Sequence, residues 1–154
     1  VVSKLFNLVR PTCAYFGMKD AQQLILIEKL VQDMKYPINI IRCETVREHN
    51  GLAMSSRNKY LNREQREGAK VIYQSLLRAK QLIGAGEKGV SIIKQNIKDM
   101  ILTPMNFKID YVSISDINTL IEVEDNVGGV SEVLISVAVF VKDVRLIDNV
   151  VVKF

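Results

Sequence analysis

The sequence predicts two fold classes in succession, an α/β segment over residues 1–46 and a small α+β segment of helices and an antiparallel sheet over residues 47–154. Helical and strand periodicities alternate as far as Arg42, the sign of a parallel sheet with crossover helices. Beyond a polar break the order changes to two helices followed by β-branched runs separated by turn residues, the sign of an antiparallel sheet covered by helices.

Val2, Leu5, Phe6 and Val9 recur at helical spacing, and Pro11 ends that helix. Thr12–Phe16 is a short apolar strand closed by Gly17. Asp20 opens a second helix through Lys35, with Leu24, Ile27, Val31 and Met34 on one face. Pro37 closes it, and Ile38–Arg42 is a second strand rich in β-branched residues. A parallel sheet needs cover on both faces, which one crossover unit does not provide, so further strands are expected. Val1 reads as a residue already inside a helix, with no capping residue before it, and the chain is expected to be part of a longer protein.

Glu44–Asn58 is polar and aperiodic, with Asn50-Gly51 and Ser55-Ser56 in it, and reads as an interdomain loop. Asn62 with Gln65 makes a capping box for one long helix whose apolar stripe is Ala69, Ile72, Leu76, Ala79 and Ile83, stopping at Gly84. A helix over Val90–Leu102 turns Ile93, Ile97 and either Met100 or Ile101 inward and ends before Pro104. Lys108–Ser115, Val133–Val141 and Arg145–Phe154 are strands, punctuated by Gly128-Gly129 and Lys142-Asp143.

With 48% hydrophobic and 25% charged residues, the chain has the composition of a core-forming globular protein. Its net charge of +4 comes from scattered Lys and Arg without Trp, which argues against a nucleic-acid interface. No apolar run approaches the roughly 20 residues that span a bilayer, and no signal peptide opens the chain, so a soluble cytoplasmic protein is expected, without membrane partners. Cys13 and Cys43 lack C-x-x-C spacing and read as reduced structural thiols, Cys13 within an apolar, buried stretch. His49, the sole histidine, reads as a surface loop residue; it leaves no basis for a histidine triad or a zinc site.

Two segments carry candidate chemistry. In Phe16-Gly17-Met18-Lys19-Asp20 a strand end turns into a helix, the edge of a parallel sheet where backbone N–H groups and the helix dipole favour anions. Lys19 would offer a point charge, and Asp20 would orient a hydroxyl or a metal-bound water. The plainer alternative has Gly17 making a turn, Asp20 capping the helix and Lys19 solvated. Gln22 or Gln23 would lie on the same edge, or be surface decoration. In Met54-Ser55-Ser56-Arg57-Asn58, two hydroxyls, successive amides and a guanidinium are suited to a polyphosphate, the alternative being a flexible linker.

Taken in order, Phe16-Gly-Met-Lys-Asp, Gln22-Gln23-Leu24, Val46-Arg47, Gly51-Leu-Ala-Met-Ser-Ser-Arg-Asn and Arg145-Leu-Ile-Asp-Asn resemble the signature blocks of the pantothenate synthetases, and the resemblance extends over essentially the whole chain. It implies the C-terminal portion of a Rossmann-like nucleotidylyltransferase domain, residues 1–46, followed by an α+β lid domain. It also implies ATP with Mg2+, the substrates pantoate and β-alanine, a pantoyl-adenylate intermediate and a homodimer. On that resemblance Gly17, Met18, Lys19 and Asp20 would contact ATP, Gln23 would bind pantoate, Val46 would offer backbone groups to adenine, and Met54, Ser55, Ser56 and Arg57 would close over the triphosphate. Lys19, Ser55, Ser56 and Arg57 would assist the chemistry. Met18 departs from the Glu or Gln more usual there. The family's His-x-Gly-His block and first pantoate glutamine precede the position matching Val1, so the 154 residues alone are expected to be inactive. The competing expectation is a non-enzymatic module that binds nucleotide or self-associates.

Overall fold

A computed structural model describes residues 1–102 and 107–154. It divides into two compact units, Val1–Thr45 and Val46–Phe154.

In the first unit, helix α1 (Val2–Val9) ends at Arg10, whose left-handed backbone (φ 49°) lets its N–H reach the Phe6 carbonyl at 2.9 Å just before Pro11. Strand β1 (Cys13–Gly17), helix α2 (Ala21–Asp33) and strand β2 (Asn39–Cys43) follow, and β1 and β2 pair in parallel. Side chains alternate across a strand, so Ala14 and Phe16 pack on the cluster of Phe6, Ile27 and Ile38. Phe6 meets Phe16 and Tyr36 edge-on, with centroids 6.5 and 5.9 Å away, the geometry that aromatic quadrupoles favour. The opposite face carries Cys13, Tyr15 and Gly17, all exposed. Cys13 is thus not the buried thiol its apolar neighbours suggest, because the packed cluster covers only the alternate residues. Met34, expected on the buried face of α2, lies just past the helix end and is 57% exposed.

The second unit opens with an ordered segment where the sequence suggests a loop between domains. Arg47 and Ala53 form an antiparallel bridge around a turn in which the Gly51 N–H reaches the Glu48 carbonyl at 2.9 Å. Gly51 has φ 93°, a left-handed value that suits glycine. A 3-10 turn follows over Ser56–Tyr60.

The capping box forms as read: the Gln65 N–H donates to Asn62 Oδ1 at 2.8 Å, and the Asn62 N–H to Gln65 Oε1 at 2.9 Å. The long helix is instead two, α3 (Arg63–Gly68) and α4 (Lys70–Gly84), joined at fully buried Ala69. The expected stripe of Ala69, Ile72, Leu76, Ala79 and Ile83 is buried throughout. Gly84 remains helical; Gly86, at φ 100°, supplies the left-handed residue after the helix.

Helix α5 (Val90–Leu102) buries Ile93, Ile97 and Ile101, which resolves the inward choice in favour of Ile101 over half-buried Met100. Pro104 lies outside the described residues. Strands β3 (Lys108–Asp116), β4 (Glu132–Val141) and β5 (Val144–Lys153) make an antiparallel sheet with β4 central. Alternate β4 residues Val133, Ile135, Val137, Val139 and Val141 join Ile72, Leu76, Ile93, Ile97 and Ile101 in one core. Gly128-Gly129 falls within a short 3-10 turn before β4. Lys142-Asp143 forms the two-residue β4–β5 turn, with Lys142 at φ 53°.

Candidate functional site

The first candidate segment sits at the carboxyl end of β1. Gly17 ends the strand in extended conformation (φ −74°, ψ 133°), and a Cβ there would meet nothing within 4 Å, so neither the backbone nor close packing demands glycine. Met18–Asp20 then make one 3-10 turn into α2. Asp20 occupies the N-cap position of α2 but makes no side-chain capping bond, leaving an exposed carboxylate at the helix entrance. Capping, the plain structural role open to Asp20, is therefore not what this side chain does here. Met18 and Lys19 are half-buried; Gln22 and Gln23 are both exposed in the first turn of α2. The β1–β2 pair is parallel, so this segment and the β2 terminus share one sheet edge, the geometry that favours ligand anions.

The second candidate segment is held from below by buried polar contacts. Asn58, 3% exposed, donates to Glu48 Oε1 at 2.7 Å and to the Ala53 carbonyl at 3.1 Å. Glu48 also accepts both Nε and Nη2 of Arg66, at 2.7 and 2.8 Å. The Arg66 hydrogen bond, helped by the Asn58 amide, holds the Glu48 carboxyl below the usual glutamate range although burial pushes the other way. The neighbouring Glu67 is likewise held low by hydrogen bonds from Lys70 and Asn50. An open cleft of about 770 Å3 lies beside this network, lined by Glu48, His49, Met54, Arg63, Arg66 and Glu67.

Arg47 fixes the other side. Its guanidinium donates to both carboxylate oxygens of Asp148, at 2.6 and 3.0 Å, and to the Gly51 carbonyl at 3.1 Å, while lying 3.4 Å over the Tyr73 ring. The turn that carries Gly51 is thereby tied to β5 and to α4.

On this scaffold the polyphosphate candidates are presented outward. Met54, Ser56 and Arg57 are exposed and Ser55 half-buried. Ser55 Oγ accepts the Arg57 N–H at 3.2 Å and so caps the 3-10 turn, which leaves its hydroxyl proton available to a further acceptor. Arg57 Nη1 reaches the Arg145 carbonyl at 3.4 Å. Val46 is exposed, and its carbonyl already accepts the Met54 N–H at 2.9 Å. With the Met54 and Arg57 N–H groups already committed, the braced segment presents the Ser55 and Ser56 amides, two hydroxyls and a guanidinium, a donor set suited to polyanions.

The scaffold residues Glu48, Asn58, Arg66, Tyr73 and Asp148 are not visible as a group in the sequence. Arg47 and Asp148 stand 101 positions apart; only the pairing of two short motifs, Val46-Arg47 and Arg145–Asn149, hints at their contact. Among the described residues, no cluster of three or more His, Cys, Asp or Glu could hold a metal ion. No helix among them is long and apolar enough to cross a membrane.

The family model described as pantoate-beta-alanine ligase matches residues 1–151. The chain is 50% identical over 153 residues to the pantothenate synthetase of Caldicellulosiruptor bescii and 49% identical to that of Fervidobacterium nodosum, covering 99% of this chain and 53% of each relative. A crystal structure of pantothenate synthetase from Thermus thermophilus superposes with a TM-score of 0.86 at 38% identity, over 97% of this chain and 52% of that one. A pantoate-beta-alanine ligase from Francisella tularensis, complexed with "Beta-gamma ATP and Beta-alanine", gives 0.63 at 30% identity over 97% and 47%. The chain thus spans about half the length of the relatives it matches, and with nearly all its own residues inside the match it belongs to the pantoate–β-alanine ligase family.

Proposed function

We propose that this chain serves the ATP-dependent condensation of pantoate with β-alanine. A pantoate carboxylate oxygen attacks the α-phosphorus of ATP as the bond to pyrophosphate breaks; the β-alanine amine then attacks the acyl carbon of pantoyl adenylate, and AMP leaves. The observation that supports this reading is the braced Met54–Arg57 segment, a donor set suited to a polyanion in a chain of this family.

In this reading residues 1–46 belong to a Rossmann-like ATP- and pantoate-binding domain and residues 47–154 form its lid. Gly17, Met18, Lys19 and Asp20 contact ATP at the strand edge, with Lys19 offsetting phosphate charge. Gln23 holds pantoate, and Val46 offers backbone groups to adenine. Met54, Ser55, Ser56 and Arg57 bind the triphosphate through amides, hydroxyls and the guanidinium. The Mg2+ that accompanies ATP neutralises phosphate charge when bound, and the exposed, uncapped Asp20 carboxylate suits a hydroxyl or a metal-bound water. None of these residues acts as a nucleophile; they position and stabilise charge. The active protein is proposed to be a cytoplasmic homodimer.

The 154 residues by themselves are proposed to bind nucleotide without turning over, since a chain with one histidine cannot contain the family's His-x-Gly-His block. The test is equilibrium titration with MgATP: Lys19→Ala and Arg57→Ala should each weaken binding about tenfold, the loss of a charge-assisted contact of roughly 1.4 kcal/mol. Unchanged affinity in both variants rejects the reading. Pantoate-dependent AMP release by the purified 154-residue chain overturns the inactivity.

A further inference from the structure

Arg57 borders a cleft of about 550 Å3 whose lining includes the β4–β5 hairpin, to which the sequence reading gives no ligand role. Tyr60 and Gln65 contribute to it, together with Lys142, Asp143 and Arg145 of the β4–β5 hairpin. Arg145 is fixed in place: its Nε and Nη2 reach Asp110 Oδ2 at 2.9 and 2.8 Å. Asp110 lies where the β3–β4 register shifts between Ile109 and Tyr111, so a strand irregularity supplies the group that orients Arg145. Arg57 spends one donor on the Arg145 carbonyl, which joins the Ser55–Arg57 segment to the hairpin.

Lys142 is the unusual member. It holds φ 53° at the tip of a two-residue turn, a position where glycine or asparagine is the ordinary occupant. Its ammonium has no hydrogen-bond or ion-pair partner among the described residues, and the side chain is exposed. Three cations therefore line one cleft with the single carboxylate of Asp143, and Asp110 is already committed to Arg145. Against the carboxylates of Asp143 and Asp110 the three cations leave an excess of one positive charge, which an anion would offset.

We propose that this cleft is a diphosphate subsite, in which Lys142 and Arg145 of the hairpin complete a wall begun by Arg57. The ligand class is a diphosphate unit, either free pyrophosphate or the terminal phosphates of a nucleotide. The inference rests on the reading that Met54–Arg57 bind the ATP triphosphate, and it adds residues from a different element. Two linked phosphate groups match three spaced cations better than one phosphate does, because each can meet its own donor.

The experiment is calorimetric titration of the 154-residue chain with pyrophosphate, MgATP and orthophosphate, using wild type, Lys142→Gly and Arg57→Ala. Lys142→Gly removes the charge and relieves the left-handed backbone, so its fold is retained and circular dichroism should show an unchanged or higher Tm. It is expected to weaken pyrophosphate about five- to tenfold, with orthophosphate binding more weakly than pyrophosphate throughout. A parallel loss for MgATP assigns the subsite to the nucleotide's terminal phosphates; a loss confined to pyrophosphate assigns it to the free anion. Unchanged pyrophosphate and MgATP affinity in Lys142→Gly overturns the inference, and if Arg57→Ala still weakens MgATP the broader reading stands without it. Orthophosphate bound as tightly as pyrophosphate overturns the diphosphate assignment.

Discussion

Arg47 and Asp148, 101 positions apart, form a two-pronged ion pair at 2.6 and 3.0 Å in which the carboxylate side chain is 3% exposed. The pair joins the turn below Met54–Arg57 to the central region of β5, and Tyr73 covers the guanidinium from the side. Asp148 is the partner that cannot be left alone, since an unpaired buried charge is costly where an exposed one is not.

Arg47→Ala should therefore destabilise the second unit by about 3 kcal/mol or more, because it strands the Asp148 carboxylate and empties the space over Tyr73. Arg47→Lys should fall between, keeping the charge but losing the fork. The double replacement Arg47→Met with Asp148→Leu should recover much of the loss, since it removes both charges at once. Urea denaturation of the three variants measures this; a double variant no better than Arg47→Ala would mean that the pair's geometry, not charge burial, sets the cost.

Gly51 is the second point where the turn is sensitive. At φ 93° a side chain is strained, and a Cβ would lie 3.2 Å from Tyr73 Cδ1, the ring that packs on Arg47. Gly51→Ala should cost about 1–3 kcal/mol. Denaturation midpoints would show it, and a neutral outcome would indicate that the turn relaxes without disturbing Tyr73.

What can be read from the sequence is mostly local. The Asn62–Gln65 capping box involves residues three apart, so its chemistry is written where it acts, and the extent of α5 follows from its periodicity and from Pro104 in the sequence. The polar segment 44–58 reads as structureless because its order comes from distant partners: Glu48 needs Arg66, and Arg47 needs Asp148. Cys13 reads as buried because composition does not say which face of a strand is packed. The stop of α4 is read at Gly84 rather than Gly86 because either glycine could take the left-handed position.

Glu48 gives the second unit a pH dependence with a definite sign. Its carboxyl is held below the usual range in the folded protein by the Arg66 hydrogen bond and the Asn58 amide, so the unfolded chain takes up a proton first as the pH falls. The stabilisation is complete above the unfolded value of about 4.3 and is lost as the pH drops through the lower folded value. Glu48→Gln should be less stable than wild type at pH 7, and the gap between them should narrow as the pH falls below about 4.3. Thermal melts across that range test it; a gap independent of pH would show that Glu48 acts by packing rather than charge.

The first unit leaves one face of its parallel sheet open. Tyr15 and Ile41 are directly opposed across β1 and β2, and are 70% and 38% exposed. The other face of the strands is the one packed on Phe6, Ile27 and Ile38. Parallel pairs occur almost always with both faces covered, since their residues are apolar on each side. Leu8 and Leu26 add further exposed apolar surface to this unit. The 154-residue chain should therefore self-associate, with mass by light scattering rising with concentration. Tyr15→Lys should reduce that association by placing a charge on the open face, and Cys13 on the same face should react more slowly with a thiol reagent as the mass rises. A monodisperse monomer at all concentrations, with Cys13 uniformly reactive, would show that the open face is stable in water.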